Sequence, residues 1–119
     1  MTAMRDAYDK IGANYEDALY RLMTDDMVVR FATKFLDDDS MPNLVKAMGE
    51  GDAKAAFIAA HTLKGVCQNL SFDNLYPPAV DVTEALRNAT DVEAARPLLP
   101  ALEEQYETTV AAIKQAAGL

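Results

Sequence analysis

Apolar residues recur three and four positions apart along the chain, in segments separated by short breakers, and valine and isoleucine are too few to suggest a sheet. The spacing predicts a short helix over residues 3–10, stopped at Gly12. Asn14, with Asp17 three positions on, caps a second short helix reaching about Met23. Thr24 or Asp25 then opens a longer segment with apolar residues at 28, 31, 32, 35 and 36. Pro42 interrupts it, and because proline disfavours helix in the residue before it, a kink or break is expected near Ser40-Met41. Helix resumes through "NLVKAM" and stops at Gly49-Glu50-Gly51.

Asp52 caps the next helix, residues 53–70, and "SFDNLYPP" follows as a turn. Asp73 or Asn74 is a candidate cap for a helix that places Pro77 and Pro78 in its first turn and runs to about Asn88. Asp91 caps the last helix, from 92 to about 116, bent in its first part by Pro97 and Pro100. Leu102, Tyr106, Val110 and Ile113 keep one apolar stripe along it. Four substantial helices with short connections, after one or two short ones, predict an all-α, antiparallel up-down four-helix bundle.

The 119 residues fit one domain spanning 1–119, and the half that are apolar can fill its core. No apolar run approaches the ~18–20 residues that span a bilayer. The N-terminus, Met1-Thr2-Ala3-Met4-Arg5-Asp6, lacks the basic-then-apolar form of a signal peptide, so a cytoplasmic location is the default. Met1, with a helix beginning almost at once, favours a whole protein over an excised domain.

With one cysteine, Cys67, and one histidine, His61, no internal disulfide and no Cys/His zinc cluster can form. "DDDS" at 37–40 lacks the glycine and terminal glutamate of a calcium loop and reads as a solvated charge run, so no metal site is expected. A net charge of −8 argues against nucleic-acid binding and against docking on an anionic membrane. The acid is unevenly spread. From Ala53 to Phe72 there is no Asp or Glu, although Lys54, His61 and Lys64 all lie there.

Each helical residue advances about 100° around the axis, which places Leu63 about 160° from His61 and Leu70 about 180° from it. Ala56, Ala59, Leu63, Val66 and Leu70 then form the core-facing stripe, with Cys67 near it as a small buried hydrophobe. His61 faces the other way, within about 60° of Lys54, Phe57, Lys64, Gly65 and Gln68. A lone histidine is ordinarily a surface or satisfied core residue. Two features point further: the stripe combines cations with an amide and no carboxylate, and Gly65 costs the helix about 1 kcal/mol relative to Ala with no turn to explain it. A missing side chain one turn from the imidazole leaves room for something large to approach.

Imidazole is mostly neutral near neutral pH, leaving one ring nitrogen free as a nucleophile toward phosphorus. Lys64, and Lys54 beyond it, could stabilise phosphoryl oxygens, and Gln68 could donate a hydrogen bond. Phe57 fits equally a docking patch and an ordinary bundle-edge residue, and Thr62 reads as helix filler.

The segment "AAHTLKGVCQNL" resembles the phosphoacceptor motif of histidine-containing phosphotransfer (HPt) domains, whose pattern is His-x-Leu-Lys-Gly followed five residues later by Leu and then Gly. His61, Leu63, Lys64, Gly65 and Leu70 fall on that pattern, and the resemblance extends over nearly the whole chain. Ser71 departs from it, standing where the family usually has glycine, a change bearing on turn geometry more than on phosphate chemistry. The double proline at 77–78 is also unusual.

The resemblance implies a monomeric phosphorelay carrier. His61 would accept a phosphoryl group from a receiver-domain aspartyl phosphate and pass it to another receiver aspartate. The implied partners are response-regulator receiver domains, with a hybrid histidine kinase as a further candidate. No cofactor is implied for this chain, since Mg²⁺ would sit on the receiver. No Walker-type loop is present, so the chain should not phosphorylate itself from ATP. Gly65 and Phe57 would then belong to the docking surface.

Two other classes of function fit parts of the sequence. One is a non-phosphorylated adaptor or inhibitor bundle docking on receiver or kinase domains, which would need the face but not His61. The other is the dimerisation hairpin of a histidine kinase, whose histidine is usually followed by an acidic residue and a proline; "HTLKG" does not read that way.

Overall fold

The computed structural model describes residues 2–119; Met1, on which the expectation of a whole protein rests, lies outside them. Seven α-helices follow one another among the described residues: α1 (Ala3–Ile11), α2 (Tyr15–Leu22), α3 (Asp25–Lys34), α4 (Ser40–Glu50), α5 (Ala53–Asn69), α6 (Tyr76–Leu86) and α7 (Leu99–Ala116). Short 3₁₀ turns at Phe35–Asp37 and Arg96–Leu98 extend α3 and precede α7. The described residues contain no strand, and no helix among them is long and apolar enough to cross a membrane.

Local chemistry explains most boundaries. Side-chain oxygens of Asn14, Thr24 and Asp52 accept the N–H groups of Asp17, Met27 and Ala55 at 3.0, 3.1 and 3.0 Å. Thr2 does the same for Arg5 at the start of α1. Each bond satisfies a donor that the first helical turn leaves unpaired, worth about 1 kcal/mol. Gly12 and Gly51 close α1 and α4 with φ of +80° and +71°, a conformation that costs glycine little.

Three expectations need correction. The break before α4 falls at Asp38-Asp39 rather than at Ser40-Met41, and Pro42 sits inside the first turn, where its missing N–H would have had no helical partner. Neither Asp73 nor Asn74 caps α6. Asn74 instead donates from Nδ2 to Gln105 and Thr109 of α7, at 3.1 and 2.9 Å. The last helix is not one bent rod from residue 92. Asp91 accepts the Glu93 N–H at 3.0 Å, but residues 93–98 form a turn and a 3₁₀ segment, and α-helix starts afresh at Leu99. Pro97 disfavours helix at Arg96, whereas Pro100 lies harmlessly in the new first turn.

α5 is the central element, packed along α4 on one side and α6 on the other. α7 contacts α6, α1 and α3, and α2 packs on α3. Buried residues of all seven helices form one apolar cluster, with Tyr8, Phe35, Leu44, Leu63, Phe72, Leu86, Leu102 and Ile113 among its largest members. A chain of aromatic rings threads it. Tyr15, Tyr8, Phe72, Phe35 and Tyr106 follow one another with centroids 5.3, 5.4, 5.1 and 5.7 Å apart. Such pairs add about 0.5–1.5 kcal/mol each beyond their area.

The end of α5 accounts for Ser71. The Phe72 N–H donates to the Cys67 carbonyl and the Ser71 N–H to that of Gln68, closing the helix with residue 71 in the left-handed region. Ser71 has φ +55°, a conformation that disfavours any residue with a Cβ. Its buried hydroxyl compensates by donating to Asp17 Oδ2 at 2.6 Å. The departure from glycine therefore concerns turn geometry, about three turns along from His61.

Candidate phosphoryl-transfer site

Along α5, Ala56, Ala59, Ala60, Leu63 and Cys67 face the core, with Leu70 buried just past the end. Val66, assigned to that stripe from its spacing, is only half-buried. His61 is on the outward face and exposed. Lys54 and Gln68 are exposed two turns before and after it, and Phe57, Lys64 and Gly65 are half-buried around it. The helix thus brings the six residues singled out by spacing onto one face.

Phe57 and His61 are four residues apart, and their rings lie 5.8 Å centre to centre, tilted by 41°. Thr62 turns back on its own helix, donating to the Ile58 carbonyl at 2.9 Å, and Ile58 is more than half exposed. Gly65 has no internal reason to be glycine. A Cβ there would meet nothing within 4 Å, and its φ is not in the left-handed range. Cys67 is fully buried, and burial pushes its thiol up to about 12, so it holds its proton at neutral pH.

The sequence reading missed two residues here. α6 runs beside α5 and delivers Glu84 and Arg87 to the same region. Arg87 donates to Glu84 through Nε at 2.9 Å and Nη2 at 3.0 Å, a two-pronged pair. Its guanidinium also lies 5.2 Å from the centre of the Phe57 ring. The hydrogen bonds from Arg87 hold the Glu84 carboxyl below the usual carboxylate range, and the charges of Lys64 and His61 add to the effect. The surroundings of His61 are free of carboxylates along α5, as expected, but not in space. That expectation is corrected by α6, whose contribution depends on tertiary packing. An i, i+3 acid–base pair in "TEALR", on the helix that follows, was the only signal in the chain that could have suggested it.

The arrangement offers a solvent-facing imidazole with a lysine one turn on and an uncluttered approach across Gly65. Among the described residues no group of three or more His, Cys, Asp or Glu side chains is placed to hold a metal ion. Asp38, in the "DDDS" run, accepts the Ser40 N–H at 3.1 Å and so belongs to the joint before α4.

Comparison with known protein families matches the Hpt domain over residues 33–116, from the end of α3 to the end of α7. The matched span is shorter than the nearly complete resemblance read from the sequence, leaving α1, α2 and most of α3 outside it. Comparisons with curated proteins and with solved structures give no match. With most of its length matched, the chain belongs to the Hpt domain family, histidine phosphotransfer carriers of two-component signalling.

Proposed function

We propose that His61 is the phosphoacceptor of a phosphorelay carrier. The observation that carries this reading is the exposed imidazole of "HTLKG", with Lys64 one turn away and open surface over Gly65. A ring nitrogen attacks the phosphorus of a receiver aspartyl phosphate; the N–P bond forms as the P–O bond breaks, and the electron pair leaves with the aspartate carboxylate. The other ring nitrogen keeps its proton. Transfer to a second receiver aspartate reverses these changes. Lys64 meets the phosphoryl oxygens, with Gln68 and Lys54 as outer polar contacts, and Phe57 and Gly65 form part of the docking surface. The donor and acceptor carboxylates, and the Mg²⁺ that neutralises the phosphoryl oxygens, belong to the receiver. The chain supplies no ATP site of its own.

On this reading α4, α5, α6 and α7 make an antiparallel up-down four-helix bundle within a single domain. The protein works as a cytoplasmic monomer, exchanging with receiver domains and a hybrid histidine kinase. The test is incubation with a receiver domain phosphorylated on aspartate. Label should move to this chain, and His61→Gln should abolish transfer with the helical spectrum intact. Labelling of the mutant at the wild-type level sinks the assignment. Receiver binding with no labelling of the wild type would instead favour an adaptor.

A further inference from the structure

We propose that Glu84 sets the phosphoryl-transfer equilibrium of this site, acting as a fixed negative charge that holds the phosphorylated form of His61 at higher free energy. The inference rests on His61 as phosphoacceptor and adds a regulator of the same site. Glu84 does not touch the reacting atoms. Its position is set by Arg87, which grips both carboxylate oxygens at 2.9 and 3.0 Å and is itself seated against the Phe57 ring, 5.2 Å away. Phe57 in turn lies against the His61 ring. The Glu84 carboxylate therefore has a built location on the α6 side of the imidazole, and it feels the charges of both Lys64 and His61.

The charge count gives the direction. Beside the imidazole the cluster holds two cations, Lys64 and Arg87, and one carboxylate, that of Glu84. A phosphoryl group adds nearly two negative charges beside them. Lys64 and Arg87 favour it, and Glu84 opposes it while occupying the donors of Arg87. A carrier that passes its cargo onward needs the loaded form neither too stable nor too unstable, and one carboxylate on the neighbouring helix offsets part of the lysine's attraction. The residues outside the histidine helix thereby control how readily the group leaves.

The experiment measures the equilibrium ratio of phosphorylated carrier to phosphorylated receiver after mixing, for the wild type and two variants. Glu84→Gln keeps the shape and removes the charge. It should shift the ratio roughly three- to tenfold toward the phosphorylated carrier at low salt, less at high salt, as expected for charges several ångströms apart in a wet environment. Glu84→Asp, which keeps the charge, should remain within about twofold of wild type, separating charge from packing. A Glu84→Gln ratio unchanged within twofold, or a shift toward the phosphorylated receiver, overturns the proposal. If wild-type His61 is never labelled, the phosphoacceptor reading itself has failed; if it is labelled and Glu84→Gln changes nothing, only the role of Glu84 falls.

Discussion

The Ser71 hydroxyl donates to Asp17 across 2.6 Å, joining the turn after α5 to α2. The bond ties a residue held at φ +55° to a carboxylate that also accepts from Arg21 at 2.8 Å. Ser71→Ala keeps the strained backbone and loses the bond, and should lower unfolding stability by about 1–2 kcal/mol. Ser71→Gly loses the same bond but relieves the left-handed strain by about 1 kcal/mol, so it should be the milder change. Urea denaturation of the two variants ranks them; the reverse order would show that the turn is not strained. Asp17 is held below the usual carboxylate range, first by Ser71 and then by Arg21. The stability it adds is present above its unfolded pKa and lost as pH falls through the folded one, so the gap between wild type and Ser71→Ala should narrow below about pH 4.

Gly65 permits a test in which two readouts move in opposite directions. A Cβ at that position meets nothing within the chain. Gly65→Ala should therefore stabilise the fold by roughly 0.5–1 kcal/mol, because alanine favours mid-helix more than glycine does. Gly65→Leu should slow phosphoryl transfer by an order of magnitude or more by filling the approach to His61. Thermal melting and single-turnover transfer would reveal the split. A leucine variant with the wild-type transfer rate would leave the glycine unexplained.

Lys64→Ala should slow transfer to His61 about tenfold or more without abolishing it, since one charge-assisted contact to the phosphoryl group is lost while the nucleophile remains. Lys64→Arg should recover part of the rate. Rapid-quench measurements on folded variants decide the matter, and complete loss in Lys64→Ala would assign the lysine a role beyond charge.

Alkaline pH should weaken the fold from within. The Tyr8 hydroxyl donates to the Leu70 carbonyl at 2.8 Å, and burial raises its pKa; burial likewise pushes Cys67 up to about 12. Both groups stay protonated in the folded chain at pH values where the unfolded chain ionises. Their contribution is full below the unfolded values, near 8.5 for thiol and about 10 for phenol, and is lost progressively as pH climbs toward the folded ones. Urea midpoints should fall between pH 8 and 10.5, and Cys67→Ala should show a shallower slope than wild type. Below pH 9 the thiol should react with disulfide reagents only on unfolding.

Much of this was legible because it is local. Asn14, Thr24, Asp52, Gly12 and Gly51 act within one helical turn of their own position, and each ends or begins a helix where the sequence places it. The face of His61 follows from helical geometry alone. What escaped depends on contacts between elements. Asn74 has a cap's chemistry but turns to α7, because its side chain is half-buried against that helix. Pro42 looks like a breaker until the register of α4 is known, since proline is harmless three residues into a helix and disruptive further on. Glu84 and Arg87 lie more than twenty residues from His61, and only the packing of α6 on α5 brings them beside it.

Three hydrogen bonds from the N-terminal helices and their connection converge on Leu70 and Ser71: those of the Tyr8 hydroxyl, the Asn14 N–H and the Asp17 carboxylate. His61 stands nine residues earlier, about 13 Å up the same helix. The buttress and the exposed imidazole thus share a rod while remaining physically apart. Substitutions at Tyr8, Asn14 or Asp17 therefore act on the anchorage of the far end of that rod and leave the surface around the histidine as it is.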